Sequence, residues 1–453
     1  MLMKNKFFSL GCGLALSAAC AQAGNVTQPN IIMILVDDLG YGDLSCQEGS
    51  TDVRTPNIDR LLNEGIRCTN FYANCPVSSP SRASLLTGRY PDMVGVPGVI
   101  RTDKEESWGY LSPEAVLLPQ MLKQSGYETA IIGKWHLGLD SPNTPTERGF
   151  DYFHGFLGDM MEDYYTHIRC NHNYMCENQK EINPKGHATD IFTNWAIDYV
   201  NENGDKKNPY FMYLAYNAPH SPVQPPIDWL KKVQQRDPKL SEKRAKMVAL
   251  VEHLDYNIGR LYDFLKKKDQ LENTLIIFAS DNGGQDGCGP NNGPFRGAKE
   301  QMYDGGIHVA GGFYWKNHIQ PATADNFIML FDIFPTLCEL TNVKIDHEID
   351  GMSVLPLLQG KPCNSDDRTT FWIRREGYLK YGGLPYYAAK YKNYKILQNF
   401  AWEPFQFFDL SKDPYEQHPI EDKNSETYKS IFKELTEHVR QSGRIPWQNE
   451  KYK

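Results

Sequence analysis

Residues 31–38 read Ile-Ile-Met-Ile-Leu-Val-Asp-Asp, a run of six apolar residues that ends in two carboxylates. Three further runs rich in β-branched or aromatic residues follow along the chain, at 129–132, 210–216 and 274–279. Near-continuous apolar strands of this kind suit a sheet that is covered on both faces. Helical patterns lie between the runs, notably at 114–124 and 242–267. This alternation predicts an α/β fold with a doubly wound, mainly parallel central sheet.

The pattern changes near residue 366, where short aromatic strands replace the long apolar ones. The predicted elements of this region are strands at 370–373, 386–394 and 405–410 and a helix at 425–441. We therefore expect two units, since the chain of 453 residues exceeds the usual size of one domain. Residues 25–365 would form a catalytic α/β domain, and residues 366–453 a small C-terminal α+β subdomain.

The first residues are typical of a targeting segment. Lys4 and Lys6 precede an apolar run at 7–19, and Ala-Gln-Ala at 21–23 resembles a cleavage site. Residues 1–23 are therefore interpreted as a signal peptide of a secreted or periplasmic protein. Cys20 follows Ser-Ala-Ala, which leaves a lipoprotein anchor at this cysteine as an alternative. No later stretch is apolar and long enough to predict a transmembrane segment.

The net charge bears on the binding partners of the protein, and the cysteine content bears on its disulfide bonds. The formal net charge of −8 disfavours nucleic acid and anionic membranes as partners. The chain has 10 cysteines, eight of them after the leader, and export permits disulfide bonds. Cys170 and Cys176 are close enough in sequence for a local bridge. We expect buried thiols together with one or two disulfides.

Polar side chains follow each of the four apolar runs. They are Asp37 and Asp38, then Lys134 and His136, then His220, and finally Asp281 and Asn282. Each alone is compatible with a turn, but ligands of open α/β sheets bind beyond the carboxyl ends of the strands. The two aspartates after the first run, with Asp281 and Asn282, are hard oxygen donors. They favour calcium or magnesium over zinc.

The segment Ser78-Ser79-Pro80-Ser81-Arg82 has residues that favour the start of a helix. Ser79 can cap a helix and Pro80 suits its first position, so that Ser78 would precede the helix N-terminus. Free backbone N–H groups and the helix dipole favour an anion there, and Arg82 would add a positive charge. The segment predicts an oxyanion site. An ordinary capped helix with extra serines is the alternative.

Residues 78–89 resemble the sulfatase signature, C/S-x-P-S-R followed by a short helix that ends in Thr-Gly. The resemblance covers most of the mature chain, and the other segments that carry it are 37–43, 55–59, 133–138 and 280–284. It is to the formylglycine-dependent (type I) sulfatases, which have an alkaline phosphatase-like fold. It implies that a maturase oxidises Ser78 to formylglycine. The hydrated diol of that aldehyde would attack the sulfur of a sulfate ester, and the expected substrate is a sulfated carbohydrate.

The resemblance also implies residue roles. One calcium ion per chain would be held by Ser78 and four oxygen donors, namely Asp37, Asp38, Asp281 and Asn282. Basic side chains would surround the sulfate group, namely Arg82, Lys134, His136, His220 and Lys299. Arg82 and Lys134 would stabilise the diol and the sulfate oxygens. His136 is the expected base, and His220 or Lys299 the expected general acid.

Two regions bear on substrate recognition. The polar segment 158–176 would form either part of a sugar pocket or a solvated loop, with the candidates Asp159, Tyr164, Tyr165, His167, Arg169 and His172. Residues Arg374, Arg375 and Glu376 would contact a uronic acid or a second sulfate, or lie in solvent. The chain departs from its relatives at His308, where an arginine often follows a Gly-Gly-aliphatic run.

Two other functions compete with a sulfatase. A phosphatase or phosphonate hydrolase of the same superfamily is the nearest rival, but such enzymes commonly use two zinc ions held by histidines. The oxygen-rich donor set disfavours that arrangement. The second rival is an unmatured pseudoenzyme that only binds sulfated glycans, with Ser78 left unoxidised.

Overall fold

The structure is a computed structural model that describes residues 28–103, 107, 109–376 and 385–446. The predicted signal peptide and Cys20 lie outside the described residues. Among the described helices, none has the length and apolar character needed to cross a membrane.

The described residues form eighteen strands and ten α-helices, besides short 3-10 turns. The strands are β1 (Asn30–Asp37), β2 (Ile66–Cys68), β3 (Phe71–Tyr72), β4 (Glu128–Lys134), β5 (Tyr152–Phe156), β6 (Ile168–Arg169), β7 (His172–Asn173), β8 (Met175–Glu177), β9 (Lys180–Glu181), β10 (Tyr210–Pro219), β11 (Thr274–Ser280), β12 (Gly311–Tyr314), β13 (Ala322–Ala324), β14 (Ile328–Met329), β15 (Thr369–Arg375), β16 (Pro385–Tyr391), β17 (Tyr394–Gln398) and β18 (Gln406–Asp409). The helices are α1 (Pro56–Glu64), α2 (Ser78–Thr87), α3 (Leu118–Lys123), α4 (Ala188–Asn203), α5 (Ile227–Arg236), α6 (Glu242–Lys267), α7 (Asp304–Ile307), α8 (Ile333–Leu340), α9 (Leu355–Leu358) and α10 (Glu426–Ser442).

Ten of the strands form the central sheet, in the order β13-β2-β12-β11-β1-β10-β4-β5-β8-β9. The five strands from β11 to β5 run parallel to their neighbours, whereas β12 and β8 join the sheet in antiparallel fashion on either side. The predicted α/β fold with a mainly parallel centre is therefore confirmed. The sheet is mixed at its edges, where the strands are short.

The apolar run of β1 is buried along its whole length, and alternate side chains enter two different cores. Ile31, Met33 and Leu35 pack on one side of the sheet, with residues of α3 and α8. The intervening residues of β1 pack on the other side against α4 and α6. Because both faces are covered, this strand needs apolar residues at every position.

Helix α6 has the predicted bounds, whereas the helix predicted at 114–124 is the shorter α3. Leu117 is extended, with φ −101° and ψ 151°, so the helix cannot begin before it. The side-chain oxygen of Gln120 accepts a hydrogen bond from the Leu117 N–H at 2.7 Å. This contact supplies a partner for an N–H at the helix start, and it fixes the start at Leu118.

Strands β15 to β18 form a separate antiparallel sheet that α10 covers on one face. The small C-terminal sheet is thus confirmed, but the predicted strand at 386–394 is two strands. Lys392, with φ 52°, makes the tight turn between β16 and β17. Trp372 and Phe408 point away from α10 and pack on residues of the central domain.

All eight cysteines in the described part of the chain are free, and the prediction of one or two disulfides is therefore wrong. Cys176 lies in β8 with its side chain in the core, while Cys170 is exposed in the turn between β6 and β7. The two thiols that looked suitable for a local bridge thus occupy different environments.

Candidate active site

The carboxyl ends of β1 and β11 bring the oxygen donors together. These strands are parallel neighbours, with Val36 opposite Ser280, so the residues that follow them lie side by side. The backbone N–H of Asp38 donates to Asp281 Oδ1 at 3.2 Å, and the Asn282 side chain donates to Asp38 Oδ1 at 2.7 Å. The set is completed by Asp37, which is fully buried at the end of β1.

Burial and mutual repulsion act on these carboxylates. Burial and the neighbouring charge of Asp37 raise the pKa of Asp281 to about 7, against the opposing effect of Arg82. Burial also acts to raise the pKa of Asp37, but Lys134 and other nearby cations hold that pKa well below its usual range. The cations of the protein therefore do not fully compensate the negative charge of Asp281. Hard oxygen donors in this condition fit a divalent cation such as calcium.

Helix α2 starts at Ser78 and directs this side chain at the carboxylates. The Ser78 hydroxyl donates to Asp37 Oδ1 at 3.0 Å and lies 3.3 Å from Asn282 Oδ1. The helix begins two residues earlier than predicted, because the extended Val77 rather than Ser79 occupies the capping position. Ser79 is therefore not a cap. Its hydroxyl accepts a hydrogen bond from the Ile100 N–H at 3.0 Å instead.

Two buried cations stand beside Ser78. Arg82 lies one turn along α2, and its Nε and Nη2 donate to Asp281 Oδ2 at 3.0 and 2.8 Å. Lys134, at the end of β4, donates to Asp37 Oδ2 at 2.5 Å. Both side chains are fully buried. They hold positive charge in a site of low dielectric, where it acts strongly on an anion.

His136 presents a free ring nitrogen to the interior. Its Nε2 lies 2.9 Å from the carbonyl oxygen of Ile100, which identifies Nε2 as the donor, whereas Nδ1 has no partner within the described structure. Burial and the charge of Lys134 lower the pKa of His136 well below its usual range. A neutral imidazole with an available lone pair suits a proton acceptor.

His220 and Lys299 approach Asp38 from the opposite side. His220 Nδ1 lies 2.6 Å from the Ser221 carbonyl, which leaves Nε2 directed at Asp38 Oδ2 at 3.5 Å. Lys299 Nζ donates to the same oxygen at 2.7 Å. Burial and the charge of Lys299 lower the pKa of His220, whereas Asp38 outweighs the effect of burial and raises the pKa of Lys299.

Every residue predicted for the site therefore lies in one buried cluster around Ser78. Sequence reasoning missed the contacts that hold the cluster in place. Tyr164 is 1% exposed, so it is not part of a solvated loop. Its hydroxyl lies 2.9 Å from the carbonyl oxygens of Asn217 and His220, at the turn that carries His220.

The remaining substrate candidates also have structural partners. Asp159 is buried and binds the Arg169 guanidinium through both oxygens, at 2.8 and 3.1 Å. His167 is likewise buried, whereas Tyr165 and His172 are exposed. These contacts account for Asp159 and Arg169 without a substrate.

Of the two alternatives for Arg374 and Glu376, exposure to solvent is wrong, whereas contact with a substrate stays a prediction. Both are buried, and Arg374 Nε donates to Glu376 Oε1 at 3.2 Å. The side chain of His308 is also buried and stacks on Tyr72, with ring centroids 4.6 Å apart. No feature of the sequence alone distinguishes such internal charges from exposed ones.

Comparison with known proteins identifies the family. A model of the sulfatase family matches residues 29–343, and a model described as "N-sulphoglucosamine sulphohydrolase, C-terminal" matches residues 297–444. An uncharacterised sulfatase of Escherichia coli K12 is 33% identical over 397 residues, covering 76% of this chain and 69% of its own. Human N-acetylgalactosamine-6-sulfatase is 31% identical over 379 residues, with 78% and 69% covered.

A solved structure shows the same architecture. The crystal structure of Ps i-CgsB in complex with k-i-k-neocarrahexaose has a TM-score of 0.84 and 29% identity. The match covers 94% of this chain and 96% of the other. Since the family model spans more than half of the chain and includes the cluster around Ser78, the chain belongs to the sulfatase family and is a sulfuric ester hydrolase.

Proposed function

We propose that this protein removes sulfate from a glycan, with Ser78 converted to formylglycine as the nucleophile and one calcium ion in the site. The observation that carries the proposal is the position of Ser78. Its hydroxyl lies at a helix start, 3.0 Å from Asp37, among three carboxylates and two buried cations. A carbohydrate substrate is supported by the names of the relatives, which act on N-acetylgalactosamine 6-sulfate or bind a neocarrahexaose.

The donor set fits a calcium ion, and we assign it to Asp37, Asp38, Asp281, Asn282 and the oxidised residue 78. When bound, the ion would polarise the nucleophile and offset the charge of the carboxylates. Arg82 and Lys134 are buried beside Ser78. They are placed to stabilise the negative oxygens of a sulfate group.

Proton transfers are assigned to the remaining basic groups. His136 Nδ1 has no partner among the described residues and would accept a proton from the hydroxyl of residue 78. His220 and Lys299 meet at Asp38 Oδ2, on the other side of the site. We assign to this pair the protonation of the departing sugar oxygen, with Nε2 of the imidazolium form of His220, which Asp38 favours, as the donor.

The direct test measures inorganic sulfate released from neocarrahexaose and from N-acetylgalactosamine 6-sulfate by protein produced with a formylglycine-generating maturase. The mass of the peptide that contains position 78 is measured in parallel. We expect sulfate release that scales with the fraction of formylglycine. Binding of the sugars without release, with residue 78 fully oxidised, would instead favour a glycan-binding protein. Release of phosphate but not sulfate from matched esters would favour a phosphatase.

Removal of the metal should abolish most of the activity. We expect that treatment with a chelator lowers sulfate release strongly and that calcium restores it, because Asp281 and its neighbours lose the charge that compensates them. Thermal denaturation of the chelated protein provides a second readout, since a ligand that binds only the folded state raises its stability. Recovery with zinc alone would contradict the assignment.

Replacing Tyr164 by phenylalanine should impair leaving-group protonation. The substitution removes the hydroxyl that holds the Asn217 and His220 carbonyls, and its loss frees the turn that carries His220. We expect kcat on a sugar sulfate to fall about tenfold, the equivalent of one lost hydrogen bond. An aryl sulfate should be affected less, because a phenolate leaves without an acid.

The matched control for this prediction is Tyr165→Phe, since Tyr165 is the neighbouring residue and its side chain is exposed. We expect this variant to retain the activity of the protein without the substitution on both substrates. Equal losses on the two substrates in Tyr164→Phe would show that Tyr164 serves stability alone.

A further inference from the structure

The C-terminal sheet has one end that borders the catalytic cluster. At this end β15 leads into Arg375, whose N–H donates to the Pro97 carbonyl at 2.8 Å. Glu376 Oε1 accepts from the Val99 N–H at 3.3 Å. The next residue, Ile100, is the one whose carbonyl binds His136. One side of this sheet end therefore contacts the segment 97–100, whose last residue binds the proposed base His136.

The same sheet end also touches the other side of the site. The Arg374 guanidinium donates to the carbonyl of Glu300 at 2.9 Å, and Glu300 follows Lys299 directly. In the antiparallel register Arg374 stands opposite Tyr386, the second residue of β16. The guanidinium lies 5.0 Å from the centroid of the Tyr386 ring. Tyr386 thus stands at the boundary between the catalytic cluster and the C-terminal sheet.

Two exposed aromatic rings continue outward from Tyr386. Phe400 follows β17, and its ring centroid lies 6.2 Å from that of Tyr386. Trp402 stacks on Phe400 with centroids 5.6 Å apart and an interplanar angle of 21°. Trp402 is 71% exposed and Phe400 is 38% exposed. We call Phe400 and Trp402 the aromatic platform.

The platform is held in position before any ligand arrives. The Asn399 side chain accepts from the Met302 N–H at 2.6 Å, which ties the loop to the segment after Lys299. Within the loop the Glu403 N–H donates to the Phe400 carbonyl at 3.0 Å. Ordered loops cost less conformational entropy on binding than mobile ones do. The loop thus presents a flat apolar surface that contributes little to the core.

We propose that the aromatic platform is a binding subsite for a sugar ring of the glycan, next to or near the unit that carries the scissile sulfate. This inference rests on the proposed function. An exposed aromatic surface on a sheet whose end borders the catalytic cluster marks a place for a ligand. Stacked rings offer an apolar face to the C–H side of a pyranose ring, and the negative charge of Glu403, the next residue in sequence, disfavours a second sulfate. The platform therefore selects a sugar unit by its uncharged face.

The test compares long and short substrates in Trp402→Ala. The probes are neocarrahexaose, a chondroitin sulfate hexasaccharide and a small aryl sulfate. We expect the ratio of kcat/KM on a hexasaccharide to that on the aryl sulfate to fall about fivefold to tenfold, in line with the loss of one aromatic stacking contact. The control is Phe432→Ala, because Phe432 is 39% exposed but lies on α10, on the opposite face of the sheet. We expect this control to leave both values unchanged.

Direct binding separates this inference from the proposed function. Calorimetry with the same hexasaccharides on the Ser78→Ala protein requires no turnover. Weaker binding after a further Trp402→Ala change supports the subsite, even if the parent protein releases no sulfate and the proposed function fails. Unchanged binding and an unchanged ratio overturn the subsite. A dimer in light scattering that Trp402→Ala dissociates, with unchanged binding, overturns it in favour of self-association.

Discussion

Replacing Ser78 by alanine is expected to lower sulfate release by several orders of magnitude while the fold persists. The substitution removes the only group from which the proposed aldehyde can form, and covalent catalysis disappears with it. The hydroxyl donates to Asp37 Oδ1 at 3.0 Å and lies 3.3 Å from Asn282 Oδ1, and helix α2 does not depend on it for capping. The change in packing is small because one oxygen atom is lost.

The measurement is kcat on a sulfated sugar, together with the thermal midpoint of both proteins. Ser84→Ala is a matched control, since Ser84 lies in the same helix and is also buried. We expect it to retain most of the activity. The Ser78→Cys variant is a sharper probe, because it should be active only in a host whose maturase accepts cysteine. Near-normal turnover in Ser78→Ala, with stability unchanged, would show that Ser78 is not the nucleophile.

The sequence was sufficient to predict the centre of the fold and its catalytic edge. The strand at 31–36 is apolar at every position because both of its faces are covered, and that pattern distinguishes it from a surface strand. The parallel register of β1 and β11 then brings Asp37 and Asp281 together without further information. Local pattern and topology agree here, which is why the prediction succeeds.

The contacts that position the catalytic groups could not be predicted. Tyr164 and Arg374 are polar and occur in irregular or edge segments, where exposure is the usual expectation. Both are buried because tertiary partners satisfy them, namely the carbonyl of His220 and the carboxylate of Glu376. Ser79 shows the same limit, since its hydroxyl binds Ile100, 21 residues away, rather than a local N–H.

A buried charge cluster joins the C-terminal sheet to the central domain. Lys395 in β17 donates to Asp304 Oδ1 at 2.6 Å and lies 2.6 Å from Glu416 Oε1. All three side chains are buried, and Asp304 also accepts from the Tyr72 hydroxyl at 2.8 Å. Besides the contacts of Arg374 and Arg375, the sheet that carries the aromatic platform is therefore attached through a cation shared by two carboxylates.

Replacing Lys395 by methionine is expected to destabilise the protein by about 3–5 kcal/mol near neutral pH, the cost of leaving buried charge without its partner. Burial acts to raise the pKa of Asp304, but Lys395 holds that pKa below its usual range. Asp304 thus contributes stability above the pKa of an unfolded aspartate, near 3.9, and the contribution is lost as the pH falls through the folded value.

Glu416 has the opposite dependence, because burial raises its pKa to about 7 even though Lys395 lowers it. Its protonated form favours folding, so its effect on stability becomes less favourable as the pH rises from the pKa of the unfolded glutamate towards 7. Without Lys395 the pKa of both carboxyl groups should rise. The penalty of the substitution should therefore be greater at pH 8 than at pH 5, where both groups can take up protons at less cost.

Denaturant midpoints of the parent protein and the variant at pH 8 and pH 5 provide the measurement. Lys392→Met is the control, since Lys392 is exposed in the turn after β16 and its ion pair with Asp367 spans 3.5 Å. We expect no measurable change in this control, because exposed ion pairs contribute little. A penalty in Lys395→Met that is equal at the two pH values would mean that lost packing, rather than uncompensated charge on Asp304 and Glu416, causes the instability.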